Sequence, residues 1–66
     1  MELNAQKIKA LMIEKRFNAA SLARAAGIGS ATLNLWLNHG TKPRLDKLGA
    51  LAAALGVPYT EIIKEV

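Results

Sequence analysis

The stretch Asn18–Gly40, NAASLARAAGIGSATLNLWLNHG, decides the fold, because two short helical patterns flank a tight, glycine-containing turn. Asn18 can accept a hydrogen bond from the free amides of a helix starting at Ala19. Phe17 just before it can pack against Leu22, which makes a cap and a hydrophobic staple. Leu22, Ala23 and Ala26 fall on one helical face, and Gly27 follows where a chain leaving a helix often takes a left-handed backbone. Ile28 is apolar, Gly29 keeps the turn short, and Ser30 offers a second capping oxygen before ATLNLWLN resumes the helical period. Two helices are thus joined by about four residues. The small side chain of Ala23 lets the second cross the first closely.

The same period extends outward in both directions. A first helix is expected from about Asn4 to Lys15, with Ile8, Leu11 and Met12 as its buried stripe. A fourth spans about Leu45 to Leu55 and stops at Gly56, with Leu45, Leu48, Leu51, Ala52 and Leu55 facing inward at three- and four-residue steps. A last helix begins near Pro58, a residue tolerated in a first turn, and buries Ile62 with Ile63 or Tyr59. The expected architecture is therefore all-α, five helices and no strand, in one domain over residues 1–66. Its core contains Leu11, Leu22, Ala23, Leu33, Trp36, Leu48, Leu51, Ala52, Leu55 and Ile62. Trp36 shares a face with Leu33, so it reads as core and not as a stacking platform.

Composition narrows the function classes. A domain of 66 residues buries only about 60% of the surface its unfolded chain exposes, which leaves no room for a deep catalytic cleft. The absence of cysteine rules out a disulfide framework and thiolate metal sites, and a single histidine cannot build a zinc site from the remaining ligands alone. No metal or cofactor is expected. There is no Ser, His and Asp set beyond what chance supplies and no glycine-rich phosphate loop after a strand, so the chain does not read as an enzyme. No apolar run approaches a membrane span and MELNAQKIK lacks an apolar signal core, which points to a soluble cytoplasmic protein with no membrane partner and no evident small-molecule substrate.

The net charge is +4, and its placement matters more than its size. Between Glu14 and Asp46 the chain holds Lys15, Arg16, Arg24, Lys42 and Arg44 and not one acidic residue. Glu61 and Glu65 fall in the last predicted helix, where they would repel a polyanion, so they mark the far side. Lys7 and Lys9, followed by Glu14, read as solvated surface charges.

The motif, an opening QKIKALMIEK helix, the basic turn NHGTKP and the closing LDKLGALAAALGVPYTEII together resemble the lambda-repressor-like Cro/XRE family of helix-turn-helix DNA-binding domains. The resemblance covers almost the whole chain and rests on the combination, since no single motif residue is diagnostic. It implies a five-helix domain whose third helix enters the major groove of double-stranded DNA. In the family, the first residues of that helix and one about a turn further read bases, which carries over to Ser30, Ala31, Asn34 and Leu35. Backbone donors at the start of helix two and in the turn after helix three hold phosphates there, matching Asn18, Ala19, Asn38 and Thr41. Lys42 and Arg44 resemble the family's basic loop, and Thr32 can join from the other edge of helix three. The resemblance also implies a homodimer on DNA with Pro58, Tyr59 and Ile63 at the contact. Many relatives pair a basic residue of helix one with a glutamate late in helix three, where this chain has Met12 and Leu37, so an apolar contact is expected in place of an ion pair.

Chemistry sharpens the reading face. At 100° per residue, Leu33, Trp36 and Leu37 cluster on one side of helix three, with Ala31, Asn34, Leu35 and Asn38 broadly opposite. The Asn34 amide can exchange two hydrogen bonds with adenine N6 and N7, while Ala31 and Leu35 can offer only apolar contact, for which thymine methyls are natural partners. Leu35 reads equally well as a scattered surface leucine or an oligomer contact. His39 reads as a plain turn residue. The function expected is a sequence-specific transcriptional regulator, a repressor of phage or mobile-element type. Two alternatives stand beside it: an antitoxin or plasmid-control protein of the same fold, and a protein-interaction module that has lost DNA binding.

Overall fold

The computed structural model describes residues 2–39 and 44–64. The chain runs β1 (Glu2–Leu3), α1 (Ala5–Lys15), α2 (Ala19–Ala26), α3 (Ser30–His39), α4 (Leu45–Leu55), a single 3-10 turn over Tyr59–Glu61, and β2 (Ile63–Lys64).

Local chemistry sets the helix limits. Asn4 caps α1 by accepting from the Lys7 amide, and Asn18 caps α2 by accepting from the Ser21 amide. Gly27 and Gly56 end α2 and α4 in the left-handed conformation, with φ of 72° and 71°. Each is followed by an apolar residue whose amide donates back into the helix: Ile28 to the Ala23 carbonyl at 2.9 Å and Val57 to the Ala52 carbonyl at 3.1 Å. That is the hydrogen-bond pattern of a Schellman ending. Ser30 is the first residue of α3 and not the residue before it. The Gly29 carbonyl accepts from the Leu33 amide at 3.0 Å, which places the start of the helix one residue earlier than the spacing suggested.

The helices pack around one core in which α2 lies against both α3 and α4, and α1 crosses α3 and α4. Ile8, Leu22, Leu33, Leu51, Leu55 and Ile62 are fully enclosed, and all ten residues of the expected core, from Leu11 to Ile62, are buried. Ala23 is enclosed too. Met12, half-buried, packs against the core that contains Leu37, consistent with an apolar contact where relatives carry an ion pair.

Two expectations are corrected. The all-α architecture with a fifth helix is replaced by four α-helices, one 3-10 turn and an antiparallel strand pair with Glu2 opposite Lys64 and Leu3 opposite Ile63. Pro58 starts the turn from an extended backbone, the turn closes after three residues at Ile62 (φ −112°, ψ 7°), and Ile63–Lys64 then run extended. The Ile62 carbonyl then accepts from the Asn4 amide at 2.8 Å, and this pairing buries Leu3, a residue the periodicity had not assigned to the core. Leu45 is the second correction: it belongs to the apolar stripe of α4 but lies 74% exposed, because the first turn of α4 projects past the core. Tyr59 is exposed, Ile62 is fully buried, and half-buried Ile63 packs against the core beside it.

Candidate nucleic-acid interface

The candidate interface is built on α3, whose sequence sorts cleanly into two faces. Leu33, Trp36 and Leu37 are buried, whereas Ser30, Ala31, Thr32, Asn34, Leu35, Asn38 and His39 are exposed. Ala31, Asn34, Leu35 and Asn38 follow the i, i+3, i+4, i+7 steps of one stripe, spanning about 10 Å along the axis. A helix of about 10–12 Å diameter fits a major groove about 12 Å wide. Ser30 and Thr32 fall about 100° to either side of Ala31, at the margins of the stripe. Burial of Trp36 removes it from any stacking role, as its shared face with Leu33 implied.

The start of α2 supplies a second set of donors. Asn18 and Ser21 form a capping box, and the Leu22 amide is taken by the Asn18 carbonyl at 2.9 Å. The amides of Ala19 and Ala20 have no acceptor among the described residues. Free amides at a helix start, where the macrodipole is positive, are suited to an anion. Ala20, which had not been singled out, thus joins Asn18 and Ala19. The Asn18 carboxamide uses its oxygen on Ser21, leaving its NH2 group as the outward donor.

Of the residues after α3 expected to hold phosphates, Thr41 and Lys42 lie outside the described residues. Arg44 is the N-cap residue of α4, with its side chain largely exposed, and its Nε lies 3.7 Å from the Asp46 carboxylate. Such an exposed pair contributes little to stability, roughly 0–1 kcal/mol. It places a negative group beside a candidate phosphate contact, a relationship hidden from charge counting. Lys7 pairs with Glu61 at 3.5 Å, and both side chains are about half exposed, as surface charges are.

Of the residues expected at a dimer contact, Pro58, Tyr59 and Ile63, only Tyr59 lines a hollow at the start of α4. Leu45, Leu48, Gly49 and Tyr59 line an open apolar hollow of about 270 Å³. Pro58, which precedes the 3-10 turn, is exposed, and Leu45 and Tyr59 present 74% and 52% of their surface to solvent. Among the described residues no three His, Asp or Glu side chains come together, and no helix is long and apolar enough to cross a membrane.

The chain belongs to the family described as Cro/C1-type HTH DNA-binding domain, which matches residues 7–66. None of the curated proteins matches it. Among solved structures it is similar to a segment of a hydroxyethylphosphonate dioxygenase variant, at a TM-score of 0.85 and 24% identity, covering all of this chain and 14% of that one. Two structures of PhpD with cadmium, one of them complexed with hydroxyethylphosphonate, give TM-scores of 0.83 and 0.82 at the same identity and coverage. At that identity the likeness shows a shared fold, and this chain spans only 14% of the length of those chains.

Proposed function

We propose that this domain is a transcriptional regulator that places α3 in the major groove of operator DNA and acts as a repressor by occlusion. The observation that carries the reading is the exposed stripe Ala31–Asn34–Leu35–Asn38, set opposite buried Leu33, Trp36 and Leu37. It lies in a stretch from Lys15 to Leu45 that contains no carboxylate. Asn34 offers the adenine-reading amide, Ala31 and Leu35 offer apolar contact to thymine methyls, and Ser30 reaches the margin of the same surface. Asn18, Ala19, Thr32, Asn38, Thr41, Lys42 and Arg44 hold phosphates, which positions the helix without specifying sequence. The regulated element is of phage or mobile type, as the family resemblance suggests.

The unit on DNA is a homodimer. One α3 stripe covers too few base pairs for strong selection, and a two-fold pair sets two reading helices about 34–36 Å apart on a palindromic site. The exposed apolar surface of Leu45 and Tyr59 supports a contact at this end of the molecule, to which exposed Pro58 and half-buried Ile63 would add from the same closing segment.

A second reading, a module that docks onto protein and no longer binds DNA, is favoured by the occurrence of the same fold inside dioxygenase chains. Selection of bound sequences from random duplexes, followed by affinity measured against salt, tests both. Operator binding gives an enriched palindrome rich in A·T pairs under α3 and an affinity that falls steeply with salt as counterions are released. No enrichment, with an interaction indifferent to salt, would support the docking module instead.

A further inference from the structure

Arg16 is the one residue other than glycine with a positive φ among the described residues, at φ 61° and ψ 39°. It closes α1: its amide donates to the Ile13 carbonyl at 3.2 Å, and the following Phe17 amide donates to the Met12 carbonyl at 2.8 Å. A Cβ at such a position crowds the neighbouring carbonyl, so glycine is the usual occupant. The chain obeys that preference at the ends of α2 and α4, where Gly27 and Gly56 stand. At the end of α1 it carries a long cation where folding alone favours glycine or asparagine.

Packing and ion pairing do not account for the side chain. Arg16 is exposed, and no carboxylate pairs with it among the described residues. Its neighbour Lys15 is accounted for, since the Lys15 Nζ lies 4.0 Å from where a Cβ on Gly56 would sit, against the carbonyl end of α4. A cation is favoured there by the helix dipole. Arg16 instead stands two residues before Asn18, at most about 7 Å along the chain from the start of α2. It is also a full helix length, about 16 Å, from the strand pair at the other end of α1.

We propose that Arg16 is a DNA-backbone contact, a guanidinium that binds the phosphodiester beside the start of α2 and is kept at a left-handed position at some expense of stability. The proposal rests on the DNA-binding reading above. A guanidinium offers a planar fork of donors to a phosphate, and its charge displaces a counterion. Glycine, best for the fold at this position, supplies neither.

The test uses Arg16→Gly, Arg16→Asn and Arg16→Lys in the full chain, with Lys64→Ala on β2 as a control for net charge. Glycine and asparagine both accept the left-handed backbone, so folding is preserved. Arg16→Gly is expected to raise the thermal midpoint by a few degrees, on the order of 4 °C. Both substitutions are expected to flatten the plot of log affinity against log salt by about 0.9, the contribution of one neutralised phosphate. Arg16→Lys restores the slope, and Lys64→Ala leaves it unchanged. Unaltered slopes in Arg16→Gly and Arg16→Asn, with a parent that binds duplex, overturn the role of Arg16 alone. A flattening equally large in Lys64→Ala also overturns it, since that effect would belong to net charge. A thermal midpoint that falls in Arg16→Gly overturns the claim that the position opposes folding. A parent that binds no duplex at any salt overturns the DNA reading together with it.

Discussion

Asn18 and Ser21 hold each other reciprocally across the first turn of α2. The Ser21 amide donates to Asn18 Oδ1 at 2.7 Å, and the Asn18 amide donates to Ser21 Oγ at 2.9 Å. Two amides that a helix start would leave orphaned are thereby satisfied, and the direction in which α2 leaves the loop is set. Phe17 on one side, packed against the core, completes the junction. Replacing Asn18 with alanine is expected to cost about 1 kcal/mol of stability, read as a lower midpoint in urea with an unchanged slope. An unaltered midpoint would mean that packing of Leu22 and Ala26 alone places the helix.

Much of this junction was legible because its causes are local. Asn18 as cap, Gly27 as terminator and the Leu22, Ala23 and Ala26 face all follow from chemistry within a few residues. The core faces of α3 and α4 follow from period alone. What escaped is non-local. The pairing of Leu3 with Ile63 joins opposite ends of the chain, and nothing in TEII distinguishes a helical face from a buried extended anchor. Leu45 continues the stripe of Leu48, Leu51 and Leu55, but the core ends before it, a matter of how far α4 overhangs its neighbours. The left-handed Arg16 was hidden for a further reason: the rule that places glycine at helix ends is broken there.

Asn34 and Leu35 separate reading from mere attachment. Asn34→Ala is expected to cost about 1–3 kcal/mol on the selected site and to relax one position of it, because an adenine edge loses both hydrogen-bond partners, with non-specific binding barely changed. Leu35→Ala is expected to lose discrimination between thymine and uracil at one position. Equal affinity and selectivity in Asn34→Ala would show that α3 does not read bases through this amide.

Arg44 and Asp46 make a sharper electrostatic test than removal of a cation alone. Arg44→Ala and Lys42→Ala are each expected to weaken all duplexes alike and to flatten the salt slope by about one unit. Asp46→Asn acts in the opposite direction. It removes the carboxylate 3.7 Å from Arg44 Nε, frees the guanidinium for phosphate and lifts a repulsion from the DNA face. Tighter binding to every duplex at low salt, fading as salt rises, is the expected result of a binding titration. Weaker binding in Asp46→Asn would mean that the pair positions Arg44 and does not compete for it.

Leu45 tests the dimer without disturbing the fold. At 74% exposure its side chain adds little to the core, so Leu45→Ser should leave the unfolding free energy within about 0.5 kcal/mol of the parent. The substitution is neutral, so attraction to phosphate is preserved as well. If a second copy covers the hollow formed by Leu45, Leu48, Gly49 and Tyr59, truncation removes apolar burial worth about 1.5–3 kcal/mol per leucine. That corresponds to about tenfold or more in the cooperativity of pairing. A duplex carrying one half-site is therefore expected to bind Leu45→Ser and the parent equally, while a duplex carrying two loses its cooperative advantage in the variant. Comparing the two duplexes by sedimentation and titration isolates the contact between copies from the contact with DNA. Full cooperativity in Leu45→Ser would place the two-fold contact elsewhere on the domain, away from the start of α4.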